Sequence, residues 1–139
     1  MSSTLEAEFC AFAVKKMRQW AGRIRICLDK LGEEQIWLRG SENANAVGNL
    51  CLHLAGNARQ YVIHGVAGKP DIRIRDAEFS ARGGLSKAEL WREFDATLQE
   101  VCAVVESLTA ADLLRHTVVQ GRKITVLEAV FTVTAHIAE

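Results

Sequence analysis

The sequence has no long apolar run, no excess of charge of either sign and only one proline. No apolar stretch approaches the roughly 18 residues that a membrane-spanning helix needs, which argues against an integral membrane protein. The 17 basic residues equal the 17 acidic ones, so the sequence lacks the basic excess typical of proteins that bind nucleic acid or anionic membranes. Residues 1–17 also lack the order of basic, apolar and small residues that marks a signal peptide.

Cysteine pairs with metal-binding or redox spacing are missing as well. The four cysteines are Cys10, Cys27, Cys51 and Cys102; each has apolar neighbours, and none belongs to a C-x-x-C motif. This pattern predicts buried free thiols in a reducing cytoplasm. A disulfide framework or a thiolate metal site is the alternative.

The residues that are present predict a single domain covering 1–139. A hydrophobic fraction of 49% is enough for one core in a chain of this length. Apolar residues recur at helical spacing in four segments. We expect helices at about 4–31, 46–64, 87–108 and 125–139. The second should be capped by Asn43 or Asn45, 71–84 should be a long surface loop, and 117–124 could form a small hairpin.

Four amphipathic helices without a strong strand pattern predict an all-α fold, an up-down four-helix bundle. The fourth predicted helix has about 15 residues against about 27 in the first, so it would span little more than half the length. The sequence stops at Glu139 without a cap or a polar tail. The last helix is therefore predicted to be truncated, in a chain that ends early.

A polar stripe runs along the second predicted helix beside its apolar face. Its members recur at three- or four-residue spacing and are Asn49, His53, Asn57, Gln60 and His64. Polar groups at the border of a core must be solvated, hydrogen-bonded or bound to a ligand. The stripe is either a solvated face with one satisfied histidine or one side of a binding site.

Another histidine, His136, lies on the fourth predicted helix. The second and fourth helices of a bundle can face each other across the core, so His53 and His136 could together form part of a divalent-metal site. Two histidines alone are a weak metal site, and imidazole suits Zn, Ni, Fe or Cu. The sequence contains no catalytic-triad signature, P-loop or dinucleotide-binding motif.

Three parts of the sequence resemble the DinB-like (DinB/YfiT-like) superfamily of four-helix bundles, and the match covers most of the chain. They are the run 45–61, the loop 75–86, and the last-helix segments 125–131 and 135–139. The resemblance implies a divalent metal, Zn, Ni or Fe, held by one histidine of the second helix and an H-x-x-x-H pair on the last. His53 matches the first ligand and His136 the first member of the pair. The second member would be residue 140, beyond this chain, so metal is expected to be lost easily.

The superfamily includes transferases and isomerases that use bacillithiol, mycothiol or glutathione, and its members often form dimers. The resemblance thus implies a metal-dependent enzyme acting on a small molecule, such as a transferase or hydrolase that depends on a low-molecular-weight thiol. Asn49 and Asn57 would orient His53 through hydrogen bonds. The candidates for binding a substrate carboxylate are Arg59, Arg73 and Arg75.

A non-catalytic role is the alternative, and the sequence does not decide whether the protein is an enzyme. The broad apolar face of the first helix, with Trp20 and Trp37 expected to be exposed, favours a homodimeric stress-response or interaction module. We expect a cytoplasmic protein with neither nucleic acid nor membrane as a partner.

Overall fold

The computed structural model describes residues 3–139. Its four long helices pack as a closed ring. The helices α1 (Leu5–Asp29) and α3 (Val47–Ala58) each contact both α5 (Lys87–Glu106) and α7 (Val126–Ala138). The predicted all-α four-helix bundle is confirmed, with a two-stranded sheet added between the third and fourth bundle helices. In chain order the elements are α1 (Leu5–Asp29), α2 (Glu33–Ile36), α3 (Val47–Ala58), a π-helical turn (Arg59–His64), α4 (Arg75–Ser80), α5 (Lys87–Glu106), α6 (Ala110–Leu114), β1 (His116–Val119), β2 (Arg122–Thr125) and α7 (Val126–Ala138).

Three of the four bundle helices begin at a residue whose side chain caps them. The Thr4 hydroxyl accepts from Ala7 N at the start of α1, and Ser86 and Thr125 do the same for Glu89 N and Glu128 N at the starts of α5 and α7. Each cap satisfies an amide that the helix itself leaves unpaired. The core between the four helices is apolar, and its most deeply buried side chains include Met17, Val62, Val101, Val105, Val126 and Val130.

The predicted hairpin is present and has the tightest possible connection. Val119 pairs with Arg122, so only Gln120 and Gly121 lie between the two strands. Both have positive φ, 53° and 73°, as a two-residue turn requires if its twist is to match that of the strands. Glycine adopts this conformation freely, whereas glutamine does so at a cost.

Several local predictions were wrong. Short helix α2 lies between the first two predicted helices, and short helix α4 lies within the predicted loop 71–84. Neither Asn43 nor Asn45 caps α3, because Asn49 reaches back and accepts from Ala46 N at 3.0 Å. Trp37 is half-buried: its indole nitrogen donates to Leu85 O at 2.9 Å, and its ring occupies the space that a β-carbon on Gly48 would need.

The cysteine prediction holds for three of the four residues. All four thiols are free; Cys10, Cys51 and Cys102 are buried, while Cys27 on α1 is exposed. Burial raises the pKa of the Cys51 thiol to about 11, so it is a packing residue rather than a nucleophile. Within 3–139, no helix combines the length and apolarity needed to cross a bilayer.

Asn49 fastens the segment around α4 to the bundle. Its side chain is fully buried; its amide nitrogen donates to Glu78 O and to Ala81 O, both at 2.9 Å. Its oxygen accepts from Ala46 N and, at 2.7 Å, from Arg39 Nη2. One side chain thus satisfies backbone groups of two segments that are far apart in sequence, and fixes where Glu78 lies.

We expect Asn49→Ala to lower the free energy of unfolding by about 3 kcal/mol, because it leaves several buried polar groups without partners. Urea denaturation measures this change. Asn57→Ala is the matched control, since Asn57 lies on the same helix without a side-chain hydrogen bond among residues 3–139. It should change stability by less than about 0.5 kcal/mol. Equal losses in both variants would contradict the role given to Asn49.

Candidate functional site

The two histidines singled out by the sequence lie in contact. His53 lies in the middle of α3, and His136 lies near the end of α7, 83 residues later. Their Nε2 atoms are 2.9 Å apart. The rings meet edge to face, with centroids 4.9 Å apart and planes at 90°. The contact between α3 and α7 in the bundle brings these two positions together.

On its other side, His53 contacts a buried ion pair. Its Nδ1 is 3.2 Å from Glu78 Oε1 and 3.2 Å from Arg73 Nη2. Arg73 binds the Glu78 carboxylate through two parallel contacts, Nε to Oε2 at 2.9 Å and Nη2 to Oε1 at 3.0 Å. The side chains of Arg73 and Glu78 are only 2% and 9% exposed, so each charge depends on the other.

Gly56 leaves the space that this ion pair occupies. A β-carbon at this position of α3 would lie 1.9 Å from Glu78 Oε2 and 3.2 Å from Arg73 Nε. The glycine is one turn from His53 on the same helix, and its bare backbone allows a carboxylate from the α4 segment to approach α3 closely. The local sequence of α3 therefore favours both the histidine and the contact that orients it.

The Glu78 carboxylate favours one tautomer of the neutral imidazole. With its proton on Nδ1, His53 donates to Glu78 Oε1, a charge-assisted hydrogen bond. Nε2 then carries a lone pair directed at His136. With the proton on Nε2, the imidazole would instead leave the carboxylate without this donor. The arrangement is the one in which a carboxylate fixes the orientation of a metal-binding histidine.

The pKa of His53 is lowered from its ordinary value, chiefly because burial disfavours the imidazolium form. The Glu78 hydrogen bond opposes this shift, while the nearby His136 adds to it. The net effect keeps His53 neutral around neutral pH. A neutral imidazole is the form that can donate a lone pair to a metal ion.

A cleft of about 510 Å³ opens in front of the two imidazoles. Four parts of the chain form it: α3 with the π-helical turn, the start of α4 with the residues before it, the tip of the hairpin, and α7. Its lining residues are His53, Asn57, Gln60, Tyr61, Arg73, Arg75, Gln120 and His136. The cleft is polar and open to solvent, and its size suits a small molecule.

The other predicted site residues are distributed differently. Arg73 and Arg75 line the cleft, whereas Arg59 contacts α5, 3.5 Å from Thr97 Oγ1 and 3.7 Å from Glu100 Oε2. Asn57 lines the cleft without a hydrogen bond to His53. Asn49 makes its hydrogen bonds elsewhere and acts on His53 only through the position of Glu78. The expected direct bonds from these two asparagines to His53 are thus absent.

Sequence reasoning missed Glu78, Tyr61 and Gln120. Glu78 lies in the stretch 75–79 that carried part of the family resemblance, but the expected surface loop gave no reason to bury it. Tyr61 is only 3% exposed and its ring packs in the core, so its place in the second predicted helix gives no sign that it lines a cleft. Gln120 lies in the predicted hairpin 117–124, and no local signal indicates that its side chain reaches a cleft.

The donor chemistry of the histidine pair fits two positions around a divalent metal ion. Two imidazole nitrogens bound to one tetrahedral zinc ion are about 3.3 Å apart, close to the observed separation. Among residues 3–139, no cluster of three or more His, Cys, Asp or Glu side chains is suitably arranged to hold a metal. The described chain therefore offers a two-nitrogen donor set with the remaining positions open.

The sequence matches a family profile over residues 5–139, almost its whole length. The chain belongs to DUF1572, a family described as proteins of unknown function. A comparison with curated proteins found no match. The family match therefore shows which proteins this chain is related to, and the description of that family names no activity.

Solved structures with the same fold include DinB-like proteins. One is a DinB-like protein from Bacillus cereus, with a TM-score of 0.69 and 13% identity over 91% of this chain and 81% of that one. Another is a mycothiol-dependent maleylpyruvate isomerase variant, with a TM-score of 0.68 and 11% identity over 92% of this chain. This chain spans 57% of the isomerase. The DinB-like resemblance is confirmed at the level of the fold.

The ion pair beside His53 should behave as a coupled unit. We expect Glu78→Gln and Arg73→Met each to lower the free energy of unfolding by about 3–5 kcal/mol, because each leaves a buried charge without its partner. The double variant should lose clearly less than the sum of the two, since it removes both charges. Urea denaturation of the wild-type protein, the two single variants and the double variant completes this double-mutant cycle. Losses that simply add would contradict the coupling.

Proposed function

We propose that this member of DUF1572 is a divalent-metal-dependent enzyme whose active site is the cleft in front of His53 and His136. The observation that carries the proposal is the 2.9 Å separation of the two Nε2 atoms at the wall of that cleft. Two imidazole nitrogens this close can bind one metal ion once both are unprotonated, and the adjoining cleft would leave the remaining positions of the ion accessible to a substrate.

Each of the three side chains at the proposed metal site would have a separate role. His53 and His136 would hold the ion, and Glu78 would keep the Nδ1 proton of His53 and so direct Nε2 toward it. Zn, Ni or Fe would each suit the imidazole donors. The bound ion would act as a Lewis acid that lowers the pKa of a thiol or a water molecule at its open positions.

Arg75 is the best placed cation for a substrate carboxylate. Arg73 also lines the cleft, but its guanidinium is already engaged by Glu78 in two contacts. The guanidinium of Arg75 stacks over the Phe79 ring, with its carbon 5.0 Å from the ring centroid, and has no carboxylate partner among residues 3–139. Such a cation can bind an anion without first breaking a salt bridge.

The reaction class we favour is transfer or hydrolysis that depends on a low-molecular-weight thiol. The support comes from two sides: the open positions beside the imidazole pair suit a thiolate, and one protein of similar fold is named as mycothiol-dependent. The limited overlap with that isomerase leaves the substrate itself open. The enzyme would act on a small molecule, because a cleft of about 510 Å³ matches the size of small-molecule sites.

Titration with Co²⁺ tests the metal site, because its visible absorption reports the ligands directly. We expect the wild-type protein to bind one Co²⁺ with bands typical of four or five ligands. His53→Ala and His136→Ala should each weaken binding by about tenfold or more, the usual loss for one ligand. Added glutathione should produce a sulfur-to-cobalt charge-transfer band.

His64→Ala and His116→Ala are the matched controls, since neither residue lines the cleft. They should titrate like the wild-type protein. Equal weakening by all four substitutions, or no Co²⁺ spectrum in the wild-type protein, would overturn the metal assignment. A normal metal spectrum without any response to glutathione would retain the metal site and refute the thiol.

A homodimeric bundle in the cytoplasm without catalytic activity is the second candidate. Large apolar side chains remain exposed on the neighbouring helices α1 and α7, among them Phe12 at 58% and Phe131 at 62%. A second copy of the chain could cover them. Trp37, one of the residues that suggested this role, is instead packed inside the protomer.

The oligomeric state is tested by sedimentation. We expect the wild-type protein to sediment as a dimer at micromolar concentration, and Phe131→Ser to shift it toward the monomer. Phe12→Ser tests α1 in the same way. A monomer at every concentration would exclude this second candidate and leave the enzyme proposal untouched.

A further inference from the structure

The hairpin tip forms one wall of the cleft and adds a polar side chain to the lining of the cleft. Gln120 lines the cleft together with His53 and His136, although it belongs to a different element. Its Nε2 donates to Gln60 Oε1 at 3.1 Å, and its Oε1 accepts from the Tyr61 hydroxyl at 3.4 Å. The tip therefore contacts the π-helical turn through the side chain of Gln120.

These contacts belong to a chain of hydrogen bonds that ends at the histidine pair. Gln60 Oε1 also accepts from Arg73 Nη1 at 2.9 Å, and Arg73 contacts His53. At the other end, Arg122 Nη2 donates to the Tyr61 hydroxyl at 2.9 Å. A polar network of this extent rigidifies the groups that it contains. The hairpin tip and the imidazoles are thus parts of one site.

Gln120 keeps its backbone in an unfavourable conformation. Its φ of +53° is left-handed, and no other non-glycine residue of the described chain has a positive φ. Asparagine, aspartate or glycine would fill this first turn position more easily. A residue that tolerates backbone strain while its side chain lines a cleft points to a role for that side chain.

The charge around the cleft favours an anion. The Arg73 charge is balanced by Glu78, whereas Arg75 and Arg122 have no carboxylate within 4 Å among residues 3–139. Gln120 Nε2 has a second N–H that no group in that range accepts. The Arg75 guanidinium and the free Gln120 amide N–H are both donors that a carboxylate can accept, and both residues line the same cleft.

We propose that Gln120, at the tip of the β1–β2 hairpin, is a specificity-determining residue that binds a substrate carboxylate together with Arg75. This inference rests on the proposed function, because it treats the cleft as the active site. The substrate would then carry a carboxylate at its hairpin end and its reacting group beside the imidazoles. The hairpin, which adds Val119 of β1 to the core, would then also supply the side chain that recognises the carboxylate.

Calorimetric binding of succinate to protein dialysed against a chelator tests this proposal, with the uncharged succinamide as the matched ligand. We expect the wild-type protein to bind succinate at least about tenfold more tightly than succinamide. Arg75→Gln should weaken succinate binding about tenfold, and Arg92→Gln, a change outside the cleft, should leave it unaltered. No succinate binding, or equal binding of the two ligands, would overturn the proposal.

Two substitutions of Gln120 separate recognition from turn stability. Gln120→Asn and Gln120→Gly both suit the left-handed position, and this gain opposes the loss of the Gln120 hydrogen bonds to Gln60 and Tyr61, so the melting temperature should change little. Succinate binding should nevertheless weaken at least about threefold, because the shortened or missing side chain cannot reach the ligand. A purely structural role would show unchanged succinate binding. Because the protein is metal-free throughout, the result does not depend on the Co²⁺ experiment.

Discussion

The buried pair of Arg73 and Glu78 is the interaction on which the site depends. Arg73 lies two residues before α4 and Glu78 lies within it, and both side chains are almost inaccessible to solvent. Neither charge would be stable there alone, so the two must enter together, into the space that Gly56 leaves open. Once in place, the carboxylate orients His53 and the guanidinium orients Gln60. The ion pair thus positions two residues of the cleft, His53 and Gln60, relative to the segment that carries Arg73 and Glu78.

Hydrogen bonds to the backbone also hold the segment between α3 and α5 against the bundle. Its backbone carbonyls at Glu78 and Ala81 bind Asn49, and Arg39 Nη2 donates to Phe79 O at 2.8 Å. Polar groups of this kind contribute specificity more than net stability, because each exchanges its water for a protein partner. The bundle supplies the hydrophobic free energy, and the polar contacts select one arrangement of the loop upon it.

What the sequence predicts here follows from periodic patterns. The four bundle helices and the hairpin could be recognised because apolar spacing and turn residues are local signals. The convergence of His53 and His136 was also accessible, since a bundle brings its second and fourth helices together. Glu78 could not be assigned, because its burial depends on Arg73 and on a missing β-carbon at position 56. Asn49 was recognised as significant, but its partners belong to a loop whose path no pattern specifies.

The position of Gln120 shows how a small element can extend a helical scaffold. A bundle alone presents side chains that point from four rods, and a cleft between two of them remains open on one side. The hairpin closes part of that side with a two-residue turn, the shortest connection that keeps the strands paired. The bundle fixes the imidazoles while the hairpin fixes the opposite wall, so the two can vary independently. Chemistry at the histidines could therefore be preserved while the choice of substrate changes at the hairpin tip.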